Sequence, residues 1–291
     1  MSEEQIYEPK EAPRMARIDV RGVDYAVTEW GDKNAPLLVF LHGFADAGAT
    51  FQFVVDEFRH DWLVVAPDWR GFGRTQPDTE AFWFPDYLAD LDRLLSHYSA
   101  DSPVRLIGHS MGGNIAGLYA GAFPERVAAL VNLEGFGLPD SSPSDAPRRY
   151  REWVERGRQL PEPTVRDNYS ALAEVIRHKN PRMSRPQAEF VARQWAEDIG
   201  DDTAAQLRLH PAHKLPNPVL YRLAEVEACW REVTADVLLV AGRDSDFASP
   251  ENLPFPRRCT EWIDDSGHML HFEQPAVLAR LIEEFLLKPI T

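Results

Sequence analysis

The chain has 291 residues, 44% hydrophobic and 26% charged, which suits one large globular domain or a domain with a substantial insertion. Its formal net charge of -15 is repelled by polyanions, so nucleic acid and anionic membrane surfaces are excluded as favoured partners. Two cysteines, Cys229 and Cys259, provide neither a disulfide framework nor a CxxC pair, and both are expected as small buried groups.

The chain starts Met1-Ser2-Glu3-Glu4-Gln5, polar and acidic, without the basic start and apolar run of a signal peptide. No window reaches the roughly 18 apolar residues of a membrane span. A cytoplasmic location is the default expectation. Residues 1 to about 15 carry no periodicity and are expected as a mobile arm. From Arg17 to Val27 apolar and polar residues alternate around Gly22, the pattern of an antiparallel hairpin with one buried face. Short, nearly continuous apolar runs follow at Leu37 to Leu41, Trp62 to Ala66, Val104 to Ile107, Val127 to Leu133 and Val237 to Ala241. Such runs suit strands buried on both faces, as in a parallel sheet. Helical patterns lie between the earlier ones, at Phe84 to His97 and Asn114 to Phe123, so the expected class is α/β with helices on both faces of the sheet.

After Val104 to Ile107 the chain reads Gly108-His109-Ser110-Met111-Gly112-Gly113. A serine between small residues at a strand-to-helix turn is pushed out of the backbone with its hydroxyl exposed. The glycines permit a turn too tight for side chains. The oxygen then stands at a helix N-terminus, where N–H groups and the dipole favour negative charge.

Beyond Leu133 the rhythm changes. Proline-bounded helical segments are predicted at Pro147 to Gln159, Thr164 to His178 and Arg185 to Ile199, with no obvious buried strand among them. They read as a helical cap over residues 139–218, between a first core part, 1–138, and a second, 219–291. The sheet resumes at Val237, ends near Glu261-Trp262-Ile263, and closes with a helix over Pro275 to Leu287.

Three motifs now stand in order, each after a predicted strand: Leu41-His42-Gly43-Phe44, then Asp68-Trp69-Arg70-Gly71-Phe72-Gly73-Arg74-Thr75, then the turn around Ser110. Together they resemble the α/β-hydrolase fold family, in its capped serine-hydrolase form, over about residues 17 to 287. The resemblance implies a mostly parallel sheet, Ser110 as nucleophile and a C-terminal histidine as base. His268, in Ser266-Gly267-His268-Met269-Leu270-His271-Phe272-Glu273-Gln274-Pro275, matches the family's histidine loop, and His271 is its competitor. His42 and His109 read as structural. The implied oxyanion donors are the backbone N–H groups of Phe44 and Met111. Asp68, Arg70 and Arg74 resemble a structural loop of the family.

The acid is open. The family's usual aspartate position, after the strand ending at Ala241, holds Ser245, with Asp244 and Asp246 on either side. Some members place the acid instead at the tip of the strand after the nucleophile helix. Here that residue is Glu134, a charge at the end of a buried strand that requires a partner. Glu134 ranks first, Asp246 second and Asp244 third.

The expected reaction is hydrolysis of a carboxylic ester of a small or medium apolar acyl substrate through an acyl-enzyme, without a cofactor. A thioesterase, a lactonase, a carbon–carbon bond hydrolase and a non-catalytic ligand receptor stay open as alternatives. Aromatic residues of the cap, Tyr150, Trp153, Tyr169, Trp195, Tyr221 and Trp230, either line an acyl pocket or hold helices together. Phe44, Phe72 and Phe136 adjoin the catalytic loops. The pair His210 and His213 lacks a third nearby ligand, so no metal is expected there.

Overall fold

The computed structural model describes residues 7–79, 81–200, 204–247 and 249–288. In chain order the first half holds β1 (Arg14–Val20), β2 (Val23–Trp30), β3 (Leu37–Leu41), α1 (Gln52–Val55), β4 (Leu63–Pro67), α2 (Phe84–Tyr98), β5 (Val104–His109), α3 (Met111–Ala122) and β6 (Val127–Leu133). The second half holds α4 (Ala146–Gly157), β7 (Val165–Arg166), α5 (Tyr169–Lys179), α6 (Arg185–Trp195), β8 (Ala196–Asp198), β9 (Ala205–Leu207), α7 (Leu223–Arg231), β10 (Asp236–Gly242), β11 (Arg258–Ile263), α8 (Leu270–Glu273) and α9 (Pro275–Leu286).

Eight strands form one sheet in the order β1-β2-β4-β3-β5-β6-β10-β11. β1 and β2 pair antiparallel, β2 meets β4 antiparallel, and every later pairing is parallel. The central strands show why their sequences read as unbroken apolar runs. Val39, Leu41, Leu106, Leu130 and Leu239 enter one core with α2, α3 and α7. Their neighbours Leu38, Phe40, Ile107, Val131 and Leu238 enter a second core with α1 and α9. Side chains of a strand alternate faces, so burial on both faces demands apolar residues at every position. Truncating one of these leucines to alanine would cost about 2–5 kcal/mol.

Leaving the sheet after Leu133, the chain re-enters it at Asp236. The excursion differs from the all-helical expectation. Thr164 to His178 does not start as helix: β7 occupies Val165–Arg166, and α5 starts at Tyr169 with Asn168 Oδ1 capping Ala171 N at 2.8 Å. Similarly, α6 stops at Trp195 and β8 follows at once. β7, β9 and β8 form a small antiparallel sheet. Strands of two or three residues are too short to display a period. α5 and α6 pack on each other and, through Leu172, Ile176 and Val191, on Phe53 and Phe272 of the main body. α4 buries none of its residues.

Two further expectations change. Of the predicted mobile arm, residues 1–6 lie outside the described residues, but the next stretch is tied down. Tyr7 packs edge-on against Phe53 at 4.8 Å and hydrogen-bonds Asp56, whose Oδ1 also accepts Glu11 N at 2.9 Å. Neither cysteine is a buried core group: Cys229 is half-buried, and Cys259 is exposed on the edge strand β11. Among the described residues no helix is long and apolar enough to cross a membrane.

Candidate active site

Five loops meet at the C-terminal ends of the parallel strands, where α/β sheets place their ligand sites. β5 delivers Ser110 into a left-handed backbone conformation, φ 51°, that non-glycine residues rarely adopt. The turn closes because its flanks lack side chains. A Cβ on Gly108 would lie 2.5 Å from Gly112 O, and one on Gly112 would lie 2.1 Å from Leu41 O. Met111 then opens α3, where the first N–H groups have no intrahelical acceptor. Gly43, in the loop after β3, packs so closely that a Cβ there would meet Ser110 Cβ at 3.2 Å. The next residue, Phe44, has a backbone N–H without an acceptor among the described residues.

β6 ends in Glu134, also left-handed at φ 56°. Its N–H donates to Val240 O at 3.2 Å, which fixes it against the tip of β10. The carboxylate is buried and fully engaged. Oε1 accepts Gly242 N at 2.8 Å, and Oε2 accepts Ser245 Oγ at 2.6 Å and His268 Nδ1 at 2.6 Å. A carboxylate can only accept here, so His268 carries its proton on Nδ1 and presents Nε2 as a base. Phe247 stacks on the His268 ring, centroids 3.7 Å apart and planes 11° from parallel. No hydrogen bond joins Ser110 Oγ to His268 among the described residues, but the two loops are tied together: His109 Nε2 donates to His268 O at 2.9 Å. Catalytic contacts in unliganded sites often tighten only with substrate.

Behind this pair lies a second one. His271 Nε2 donates to Asp46 Oδ2 at 3.2 Å, and both side chains are sealed from solvent. Asp46 Oδ1 accepts Ala47 N and Trp195 Nε1 at 2.8 Å and Thr50 Oγ1 at 2.9 Å. Burial alone would raise the Asp46 pKa. The bond to His271, its charge and that of His42, and the Trp195 N–H outweigh it and hold the group at about 2. His109 is pushed well below the usual imidazole range, first by burial and then by the charges of His271 and His268. It is therefore neutral, with its proton on Nε2. Ligand atoms of Asp46, His109 and His271 lie within 4.8 Å of one another, the nearest approach to a metal-binding group among the described residues. The carboxylate is already taken by four donors, which opposes a metal there.

A family model described as alpha/beta hydrolase fold matches residues 36–275. The chain belongs to the α/β-hydrolase fold family. It is 26% identical over 277 residues to a serine hydrolase-like protein of Danio rerio, covering 88% of this chain and 83% of that one. It is 28% identical to a putative 2-succinyl-6-hydroxy-2,4-cyclohexadiene-1-carboxylate synthase of Bacillus subtilis (strain 168), covering 91% and 95%. The fold superimposes on the thioesterase domain from the curacin biosynthetic pathway with a TM-score of 0.84, at 22% identity, over 94% of this chain and 99% of that domain.

Within this α/β-hydrolase frame the sequence candidates separate clearly. Ser110, Glu134, His268, Phe44 and Met111 stand on neighbouring loops. Asp244 is exposed and pairs with Arg182, and Asp246 is exposed, so neither aspartate engages His268. The sequence did not point to the contact of Ser245: at the position where the resemblance places an aspartate, its hydroxyl donates to Glu134 Oε2 at 2.6 Å. The loop between them was the only signal. The remaining candidates are structural in their contacts. Asp68 accepts Gly48 N and Arg74 N, both at 2.7 Å. Arg70 grips Asp90 through Nε at 2.5 Å and Nη2 at 2.7 Å. His213 is sandwiched between Phe82 and Phe72, centroids 3.7 and 4.1 Å away. Phe72, Phe136 and Trp230 are buried in the core, whereas Phe44 is exposed above the site.

Proposed function

We propose that this α/β-hydrolase is a serine hydrolase that cleaves carboxylic esters through an acyl-enzyme, with Ser110 as nucleophile, His268 as base and Glu134 as acid. The observation that carries the reading is the 2.6 Å bond from His268 Nδ1 to a buried Glu134 whose other positions are filled by Gly242 N and Ser245 Oγ. A carboxylate so held fixes the imidazole tautomer and stabilises the imidazolium that forms during reaction.

Ser110 Oγ attacks the acyl carbon while His268 Nε2 removes its proton. The carbonyl π pair moves onto oxygen, held by the Phe44 and Met111 N–H groups. Collapse breaks the bond to the leaving alcohol, which takes the proton from His268. Water then attacks the acyl-serine, giving its proton to His268. The Ser110–acyl bond breaks, the acid departs and the proton returns to Ser110. No metal or cofactor takes part in this scheme. Residues 139–218 act as a cap that walls the substrate site, and the acidic protein works on small molecules in the cytoplasm.

A fluorophosphonate probe tests the reading. Wild type should be labelled and Ser110→Ala should not; an unlabelled wild type would favour a ligand receptor. A panel of esters, thioesters, lactones and diketones then places the reaction class, with the highest kcat/KM expected for esters.

A further inference from the structure

Between the excursion and the main body lies a cavity of about 180 Å³ that starts at Ala45, the residue after the Phe44 oxyanion donor. Its floor is Ala45, Asp46 and Gly73, and one face of α5 forms its wall through Leu172, Val175 and Ile176. Asp46 offers no free acceptor, because Ala47, Thr50, Trp195 and His271 all donate to it. The charged groups that remain around the cavity are cationic: Arg166 of β7, Lys179 at the end of α5, and Arg208 just after β9. Among the described residues Arg166 and Lys179 have no carboxylate partner, while Arg208 Nε reaches Glu197 at 3.4 Å and its Nη1 donates to Arg193 O and Gln194 O, both at 3.2 Å.

Arg74, next to Gly73, is a further cation that feels the charge of Arg208. Its Nη2 donates to Gln194 Oε1 at 3.0 Å, but its Nη1 is buried without an acceptor. Its pKa is lowered by burial first and by the charge of Arg208 second. Like charges held close, with an unmet donor beside them, favour a bound anion. In a chain of net charge -15, three cations lining one apolar cavity are a local reversal of sign.

We infer that the cavity receives the acyl chain of the substrate and that its cations recognise a terminal carboxylate on that chain, so that the preferred substrates are half-esters of dicarboxylic acids. The inference rests on the esterase reading for its chemistry. The apolar wall takes the methylenes, and Arg166 and Lys179 take the carboxylate at the far end, with the charge of Arg208 beside them. Ala45, which lines the cavity, follows Phe44, in the loop that packs on Ser110 through Gly43.

The test compares p-nitrophenyl half-esters of succinate through suberate with their methyl-capped, uncharged counterparts. The half-esters should show about tenfold higher kcat/KM at the best chain length, as for a hydrogen bond to a charged group. That ratio should fall towards one in Arg166→Met/Lys179→Met, whose side chains are exposed, with folding checked by the urea midpoint, and should shrink in high salt. A ratio near one in wild type, or a ratio unchanged in the double variant, would overturn the inference. So would a preference seen only when the charge is on the leaving group, tested with the acetate ester of 4-hydroxybenzoate against that of its methyl ester. Binding of suberate and of its monomethyl ester to Ser110→Ala by calorimetry separates the two claims. Tighter suberate binding without ester turnover by wild type keeps the anion site and rejects the esterase; equal binding rejects the anion site.

Discussion

Two carboxylate–imidazole pairs stand at the same end of the sheet, on histidines of one short segment. Glu134–His268 is separated by 2.6 Å, and Asp46–His271 by 3.2 Å. Their chemistry is the same, but their surroundings differ. The side chain of His268 is 20% exposed and its Nε2 makes no hydrogen bond among the described residues, whereas that of His271 is 0% exposed. A base must exchange protons with a substrate, so of the two only the first pair suits the proposed catalysis. The second joins the Phe44 loop, the histidine loop and Trp195 of the excursion into one sealed contact. Pairing with an acid therefore does not by itself mark a catalytic histidine; the proposed one also has a partly exposed ring.

Substituting each pair breaks the comparison if it is wrong. His268→Gln should cost about 10⁴-fold in kcat/KM and lower the urea midpoint less than loss of the sealed pair does, since the ring is partly exposed and Glu134 keeps Gly242 N and Ser245 Oγ as donors. His271→Gln or Asp46→Asn should instead destabilise the fold by about 3–5 kcal/mol, because one buried charge loses its partner. Urea unfolding measures it. If Asp46→Asn folds as stably as wild type, the sealed pair is not structural.

Acid titration sharpens the same contrast. The folded pKa of Asp46 is depressed from 3.8 to about 2, so the folded state binds fewer protons there than the unfolded chain. Its stabilising contribution is present above pH 3.8 and is lost as pH falls towards 2. Asp46→Asn should flatten that limb of the stability curve, measured by denaturation across the acid range. A smaller effect is expected at the loop between the pairs. Ser245→Ala removes one donor from Glu134 and should lower kcat/KM by about tenfold, equivalent to one hydrogen bond to a charged group.

Much of this arrangement was legible in the chain. Strands buried on both faces must be continuously apolar, which exposed β3, β5, β6 and β10. The turn at Ser110 announced itself because its backbone approaches tolerate only glycine. Glu134 could be singled out because a charge at the tip of a buried strand needs a reason. What stayed hidden depends on contacts without a local pattern. Asp46 and His271 lie 225 residues apart, and nothing in either neighbourhood points to the other. The strands β7, β8 and β9 are too short for periodicity. Tyr7 is a single aromatic whose partner Phe53 lies far along the chain. Cys259 is exposed because β11 ends the sheet, and an edge position is a property of topology, not of the residue.

The central claim is that Glu134, and not an aspartate of the loop after β10, completes the site with His268. It is tested by steady-state kinetics of Glu134→Gln and Asp246→Asn on one p-nitrophenyl ester. Glu134→Gln should lose about 10³–10⁴-fold in kcat/KM, and Asp246→Asn less than about threefold. A large loss in Asp246→Asn with a small one in Glu134→Gln would contradict the account.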